Sequence, residues 1–97
     1  QRAVEAELKK YSMQYAKELE APLTYYEEKI GKYYLDFLIE DKIILELKAV
    51  PRVAPVDFNQ VSAYLKTTGI KLGILANFRT KSLQYYRILN PSSQHLN

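Results

Sequence analysis

Asp36 and, ten residues later, Glu46-Leu47-Lys48 are the side chains whose types and spacing suit chemistry, because they interrupt runs as apolar as YYLDFLIE and KIILELKAV. Period-two alternation places Glu46 and Lys48 on one strand face with Ile44 and Val50, and Asp36 on a face with Tyr34 and Leu38. If the two acids converge, their oxygens are hard ligands suited to Mg²⁺ or Mn²⁺, ions that usually keep several waters and also accept a substrate phosphate oxygen. Such an ion polarises phosphorus and lowers the pKa of a bound water. Lys48, about 7 Å along the strand from Glu46, is placed to position that water or to offset charge developing on the phosphate. Metal-assisted phosphodiester cleavage is the chemistry these residues would perform. Gln60, on a following helix, would hold the ligands or the scissile phosphate through its amide, and Tyr64, one turn on, would add a hydroxyl.

Whether the acids meet depends on register. A two-residue loop at Asp41-Lys42 pairs Glu40 with Ile43 and Asp36 with Leu47, which points Asp36 away from Glu46. A three-residue loop over Glu40 to Lys42, or a bulge, pairs Ile39 with Ile43 and Asp36 with Glu46, making one acidic pocket. The chemistry requires the second arrangement.

The elements that must position these groups follow from pattern. Val4, Leu8 and Tyr11 recur at helical spacing with Arg2, Glu5 and Lys9 outward, so the chain opens with a helix that covers one face of a sheet. The chain begins inside that pattern, without an initiator Met or a capping residue, and is expected to be a fragment or to lack upstream residues. From Ser12 to Ala21 the pattern fits either a strand or a continuing helix, and a strand is preferred. Pro22 is expected to interrupt it, LTYYEE to be β-rich, and Lys29-Ile30-Gly31 to turn. Lys32 to Glu40 and Ile43 to Val50 are the central strands. Pro55 suits the first turn of the next helix, where its missing N–H costs little, and Gly69 closes that helix. Lys71 to Phe78 and Ser82 to Leu89 form two more strands around a turn at Arg79 to Lys81, and PSSQHLN is a polar tail. The fold class is α/β (α+β), a mixed sheet flanked by helices in the order α-β-β-β-α-β-β.

The 97 residues, 47% of them apolar, fit one domain spanning residues 1–97. A net charge of +3 permits a polyanionic partner but is too small to require one. With no cysteine, disulfides, thiolate zinc sites and a cysteine nucleophile are excluded, and the single histidine, His95, lies in the polar tail. No apolar stretch approaches the roughly 18 residues of a membrane span and no signal-peptide pattern opens the chain, so a soluble, cytoplasmic protein is expected.

Asp36 with Glu46-x-Lys48 resembles the signature of the PD-(D/E)XK nuclease superfamily, whose restriction-endonuclease-like core has this element order. Gln60-Val61-Ser62-Ala63-Tyr64 is similar to the Gln-x-x-x-Tyr motif of its RecB-type branch, and the runs DFLIEDKIILELKAV and QVSAYLKTTGIKLGILANF resemble the small prokaryotic GxxExxY proteins. Ala3 and Glu7-Leu8 fall in that family's first helix, and Arg87-Ile88 also match. The resemblance implies Asp36 and Glu46 as metal ligands, the Leu47 carbonyl as a further ligand, Lys48 as the catalytic cation and Gln60 in support. Two departures stand out. The Gly and Glu that name the family belong upstream of Gln1, and Leu35 stands where the signature has Pro.

The expected function is therefore a Mg²⁺-dependent nuclease acting on nucleic acid, DNA in preference to RNA. The alternative is a catalytically inactive nuclease-fold module that binds nucleic acid or protein, and a third reading is a structural dimerisation domain. The pairs Tyr25-Tyr26, Tyr33-Tyr34 and Tyr85-Tyr86 lie in predicted strands, so one of each faces the core and the other the surface or an interface. Lys66, Lys71, Arg79, Lys81 and Arg87 are candidates to grip phosphates or to form a solvated face. An edge strand carrying Tyr85 and Tyr86 would allow a homodimer.

Overall fold

A computed structural model describes residues 2–79 and 83–91. Its elements are α1 (Arg2–Lys10), β1 (Tyr15–Tyr25), β2 (Glu28–Ile39), β3 (Ile43–Lys48), α2 (Pro55–Thr68), β4 (Leu72–Asn77) and β5 (Gln84–Leu89). The five strands form one sheet in sequence order, antiparallel except for the parallel β3–β4 pair that α2 bridges as a crossover. Element order and fold class agree with the sequence reading. Thr80, Lys81 and Ser82, and the tail 92–97 with His95, lie outside the described residues.

The first hairpin differs from expectation. β1 does not stop at Pro22 but runs through it, pairing Pro22 with Lys32. β1 is an edge strand, where a residue without an N–H is tolerated. Lys29-Ile30-Gly31 is strand, and the turn falls instead at Tyr26 and Glu27, both at positive φ (49° and 66°), as a two-residue primed hairpin turn requires. No Gly or Asn marks that turn, so composition pointed elsewhere.

Each face of the sheet carries its own core. Leu8 of α1 packs on Phe37 and Ile39, with Val4, Tyr15, Ile43, Leu45 and Leu47 around them. Glu5 fixes the helix to β1: it accepts the Tyr15 hydroxyl at 3.1 Å and pairs with Lys17 at 3.2 Å. These partners, Lys17 foremost, hold the Glu5 carboxyl below its ordinary range. On the other face Val61 and Leu65 of α2 pack on Leu35 and Ile44. Asn90 anchors the end of α2, donating to the carbonyls of Leu65 at 2.7 Å and Ile70 at 2.9 Å. Gly69, at φ 80°, ends the helix as expected.

Strand alternation breaks at Asp36. Leu35 belongs to the α2 core and Phe37 to the α1 core, although a regular strand would send both the same way. β1 breaks at the same level: Tyr15 faces α1, Leu19 faces α2, and Glu18 between them has φ 57°. The β2–β3 ladder runs only from Ile39↔Ile43 to Phe37↔Leu45, so the backbone at Asp36 is free for side-chain partners.

Helix α2 approaches β4 closely because position 73 has no side chain. A Cβ there would lie 2.6 Å from Val61 Cγ1, a stiff β-branched group in the core. Gly73→Ala is expected to lower stability by about 1–3 kcal/mol by forcing helix and sheet apart. The midpoint of urea unfolding reports this, and an unchanged midpoint would mean that the helix shifts freely.

Candidate active site

The turn after β2 decides the site. Glu40 and Asp41 have φ of 53° and 54°, and the three residues Glu40 to Lys42 close the hairpin with Ile39 opposite Ile43. This is the register that brings the acids together. Continued by one pair past the ladder, it sets Asp36 opposite Glu46, and the side chains interlock with the backbone there. The Asp36 N–H donates to Glu46 Oε1 at 3.0 Å, and the Leu47 N–H donates to Asp36 Oδ2 at 2.7 Å. Each carboxylate thus takes an amide at the level where the ladder has ended, which satisfies the backbone and fixes both acids.

Glu46 is 6% exposed. Burial and the adjoining Asp36 carboxyl push it up to about 7, against the opposing pull of its own contact with the Asp36 amide and of Lys48. Burial also raises Tyr33, helped by the nearby charge of Glu46 and by Tyr64. Two crowded carboxyls of this kind are a hard-oxygen donor set whose repulsion a divalent cation relieves, so the residues fit Mg²⁺ or Mn²⁺. Among the described residues no group of three or more His, Asp or Glu side chains gathers to hold a metal. Asp36 and Glu46 are the side chains that would hold such an ion there.

Lys48 follows Glu46 on the α2 side of β3. Its ammonium lies 3.9 Å from Glu46 Oε2 and 3.2 Å from Asp57 Oδ1, with 26% of the side chain exposed. Asn77, fully buried, braces the backbone beside it: the side chain accepts the Val50 N–H at 3.1 Å and donates to the Val50 carbonyl at 2.9 Å. The Phe78 N–H donates to the Lys48 carbonyl at 2.8 Å. The parallel pairing of Lys48 with Asn77 puts this brace in place.

Gln60 and Tyr64 are less closely engaged. The Gln60 carbonyl accepts the Tyr33 hydroxyl at 2.7 Å, while its amide, which makes no hydrogen bond among the described residues, lines a cavity of ≈ 220 Å³ with Pro22, Leu23, Tyr33 and Asn59. Tyr64 packs beside the core of Leu35 and Val61 and borders a second cavity shared with Tyr33. The structure therefore gathers Asp36, Glu46, Leu47 and Lys48 directly, and sets Gln60 and Tyr64 in cavities that they share with Tyr33 and that none of those four residues lines.

Asp57, Asn77 and Tyr33 were not anticipated. Asp57 is an acid in the first turn of α2, a position that signals a helix start and conceals its contact with Lys48. Asn77 shows only as a polar residue ending a strand, and Tyr33 as half of a tyrosine pair whose outer member, Tyr34, is exposed. Tyr86 meets Phe58 edge-on at 5.1 Å and Tyr85 points outward.

A sequence model of the PD-(D/E)XK nuclease superfamily matches residues 1–88. The crystal structure of SSO0001 is similar in fold, with a TM-score of 0.61 at 20% identity. The similarity covers 92% of this chain and 47% of that one, so this chain spans about half of the solved protein's length. No match is found among curated proteins. With the interlocked acids, the neighbouring lysine and the family match over most of its length, the chain belongs to the PD-(D/E)XK nuclease superfamily.

Proposed function

We propose that this protein is a metal-dependent nuclease that hydrolyses phosphodiester bonds of nucleic acid, DNA in preference to RNA, with Mg²⁺ or Mn²⁺ as its ion. The observation that carries the reading is the reciprocal contact of Asp36 and Glu46 with each other's strand, with Lys48 beside them. Asp36 and Glu46 would hold the cation, joined by the Leu47 carbonyl. When bound, the cation neutralises charge on the scissile phosphate and acidifies a water. In hydrolysis the water oxygen would bond to phosphorus, the bond to the leaving oxygen would break, and the proton the water loses would be matched by one taken up from solvent by the leaving oxygen. Lys48 is the one cation paired with Glu46 among the described residues, and it would face the negative charge that grows on the phosphate. Gln60 and Tyr64 would act from α2, Gln60 through its amide and Tyr64 through its hydroxyl. The narrower likeness to GxxExxY proteins agrees with this assignment.

Among the described residues no helix is long and apolar enough to cross a membrane, and nucleic acid is the partner proposed, in the cytoplasm. The exposed edge strand β5, with Tyr85 and Leu89 outward, would suit a second copy of the chain.

Calorimetric titration of Mn²⁺ into the protein tests the site. The parent is expected to bind, and Asp36→Ala and Glu46→Ala are expected not to. A parent that binds no Mn²⁺ sinks the catalytic reading and leaves a nuclease fold that binds without cutting.

A further inference from the structure

Lys48 faces a choice between anions. Its ammonium is closer to Asp57 Oδ1, at 3.2 Å, than to Glu46 Oε2, at 3.9 Å. Asp57 sits in the first turn of α2, and its other oxygen, Oδ2, accepts the Ala54 N–H at 2.8 Å. The Asp57 N–H in turn donates to the Ala54 carbonyl at 3.0 Å, which clamps the start of the helix. Both Asp57 oxygens therefore have partners, and with its side chain 15% exposed the contact with Lys48 is partly shielded from solvent. This distinguishes Asp57 from Asp36 and Glu46, each of which has one oxygen bound to the other's strand.

We propose that Asp57 is a positioning residue that holds the Lys48 ammonium at the rim of the acidic pair and keeps it out of the space a cation needs. The inference rests on the reading of Asp36 and Glu46 as the cation's ligands. A lysine stem has several rotatable bonds and no preferred site of its own. Without Asp57, the anion left beside it is Glu46, which adjoins Asp36. Lys48 then closes on those carboxylates and competes with the cation for the same oxygens. With Asp57 in place, the crossover that brings the start of α2 against the end of β3 supplies a second anchor for the ammonium, closer than Glu46. The lysine stays close enough to act on a phosphate and is barred from neutralising its own site.

Asp57→Asn removes the charge yet keeps an oxygen for the Ala54 N–H, so it separates the ion pair from the helix cap. The test is a double-mutant cycle of Asp57→Asn and Lys48→Ala, read in two ways. In metal-free protein, Asp57→Asn is expected to lower Tm measurably in the parent but to change it by less than about 1 °C in the Lys48→Ala background. In Mn²⁺ titrations, Asp57→Asn is expected to raise Kd about fivefold, and the double variant to lie within about twofold of Lys48→Ala, because the competing ammonium is gone. Equal loss of Tm in both backgrounds would show that Asp57 only caps the helix and would overturn the proposal. So would an Mn²⁺ affinity unchanged by Asp57→Asn. If the parent itself binds no Mn²⁺, the nuclease reading fails separately, and the unfolding cycle alone decides: coupling supports the positioning role and additivity rejects it.

Discussion

Lys48→Ala is expected to lower phosphodiester cleavage by about 10²-fold while leaving Mn²⁺ affinity within about twofold of the parent. The reason is the division of labour at the end of β3. Asp36 and Glu46 keep their reciprocal contacts with the Leu47 and Asp36 amides when Lys48 is truncated, so the oxygens that would hold an ion stay in place. What disappears is a positive charge, partly shielded from solvent, beside the position where a phosphate would acquire extra negative charge. A group that acts mainly on the transition state lowers kcat and kcat/KM together and leaves ground-state binding alone. Single-turnover cleavage of a labelled DNA with parallel Mn²⁺ titrations separates the two quantities. Equal cleavage by the two proteins would show that Lys48 has a structural task alone.

Glu46→Gln is expected to act in opposite directions on stability and on metal binding. In the parent, the Glu46 carboxyl is raised from 4.5 to about 7 by burial and by Asp36. Between those pH values the folded protein keeps a proton that the unfolded chain has released, so stability falls as pH rises through this window and levels off above it. The size expected for a partly compensated shift of this kind is about 2 kcal/mol, equivalent to about 8–16 °C in Tm for a domain of this length. Glutamine keeps an oxygen to accept the Asp36 N–H and has no charge to desolvate. The metal-free variant should therefore be more stable than the parent at pH 8, about equal to it at pH 4.5, and weaker in Mn²⁺ affinity by at least about tenfold. Thermal unfolding in chelator at the two pH values measures the first effect. Saturating Mn²⁺ should restore the parent's stability at pH 8 by mass action and do little for the variant. A parent whose metal-free Tm is independent of pH across this window would show that the two acids do not crowd each other.

Much of the candidate site's geometry was legible because it lies within short stretches of chain. Glu46 and Lys48 are two residues apart on a strand, and alternation alone puts them on one side. Pro55 and Gly69 bracket α2 by backbone rules that act within a turn, and the helix runs between them as read. The first hairpin was misplaced because Tyr26 and Glu27 adopt positive φ without the residues that usually mark it, while Pro22 looked like a break and is harmless at an edge. The flip of β1 and β2 at Glu18 and Asp36 was invisible for a similar reason. Leu35 and Phe37 are both apolar with the same parity, and only the presence of a helical layer on each face lets them part company.

The sequence by itself determined which groups are available: two acids and a lysine set in apolar strands, the helices and strands that carry them, and the family they signal. It left open whether the acids meet, since loops of two and three residues were both compatible with Glu40-Asp41-Lys42. Tertiary structure decided that, because burying Phe37, Ile39 and Ile43 under α1 while Ile44 faces α2 fixes the register at Ile39↔Ile43, and a slip of one residue would turn each apolar side chain to the wrong layer. It also decided the surroundings of Lys48. Asp57 and Asn77 reach it only through a parallel crossover, a contact between distant segments whose geometry no local pattern encodes.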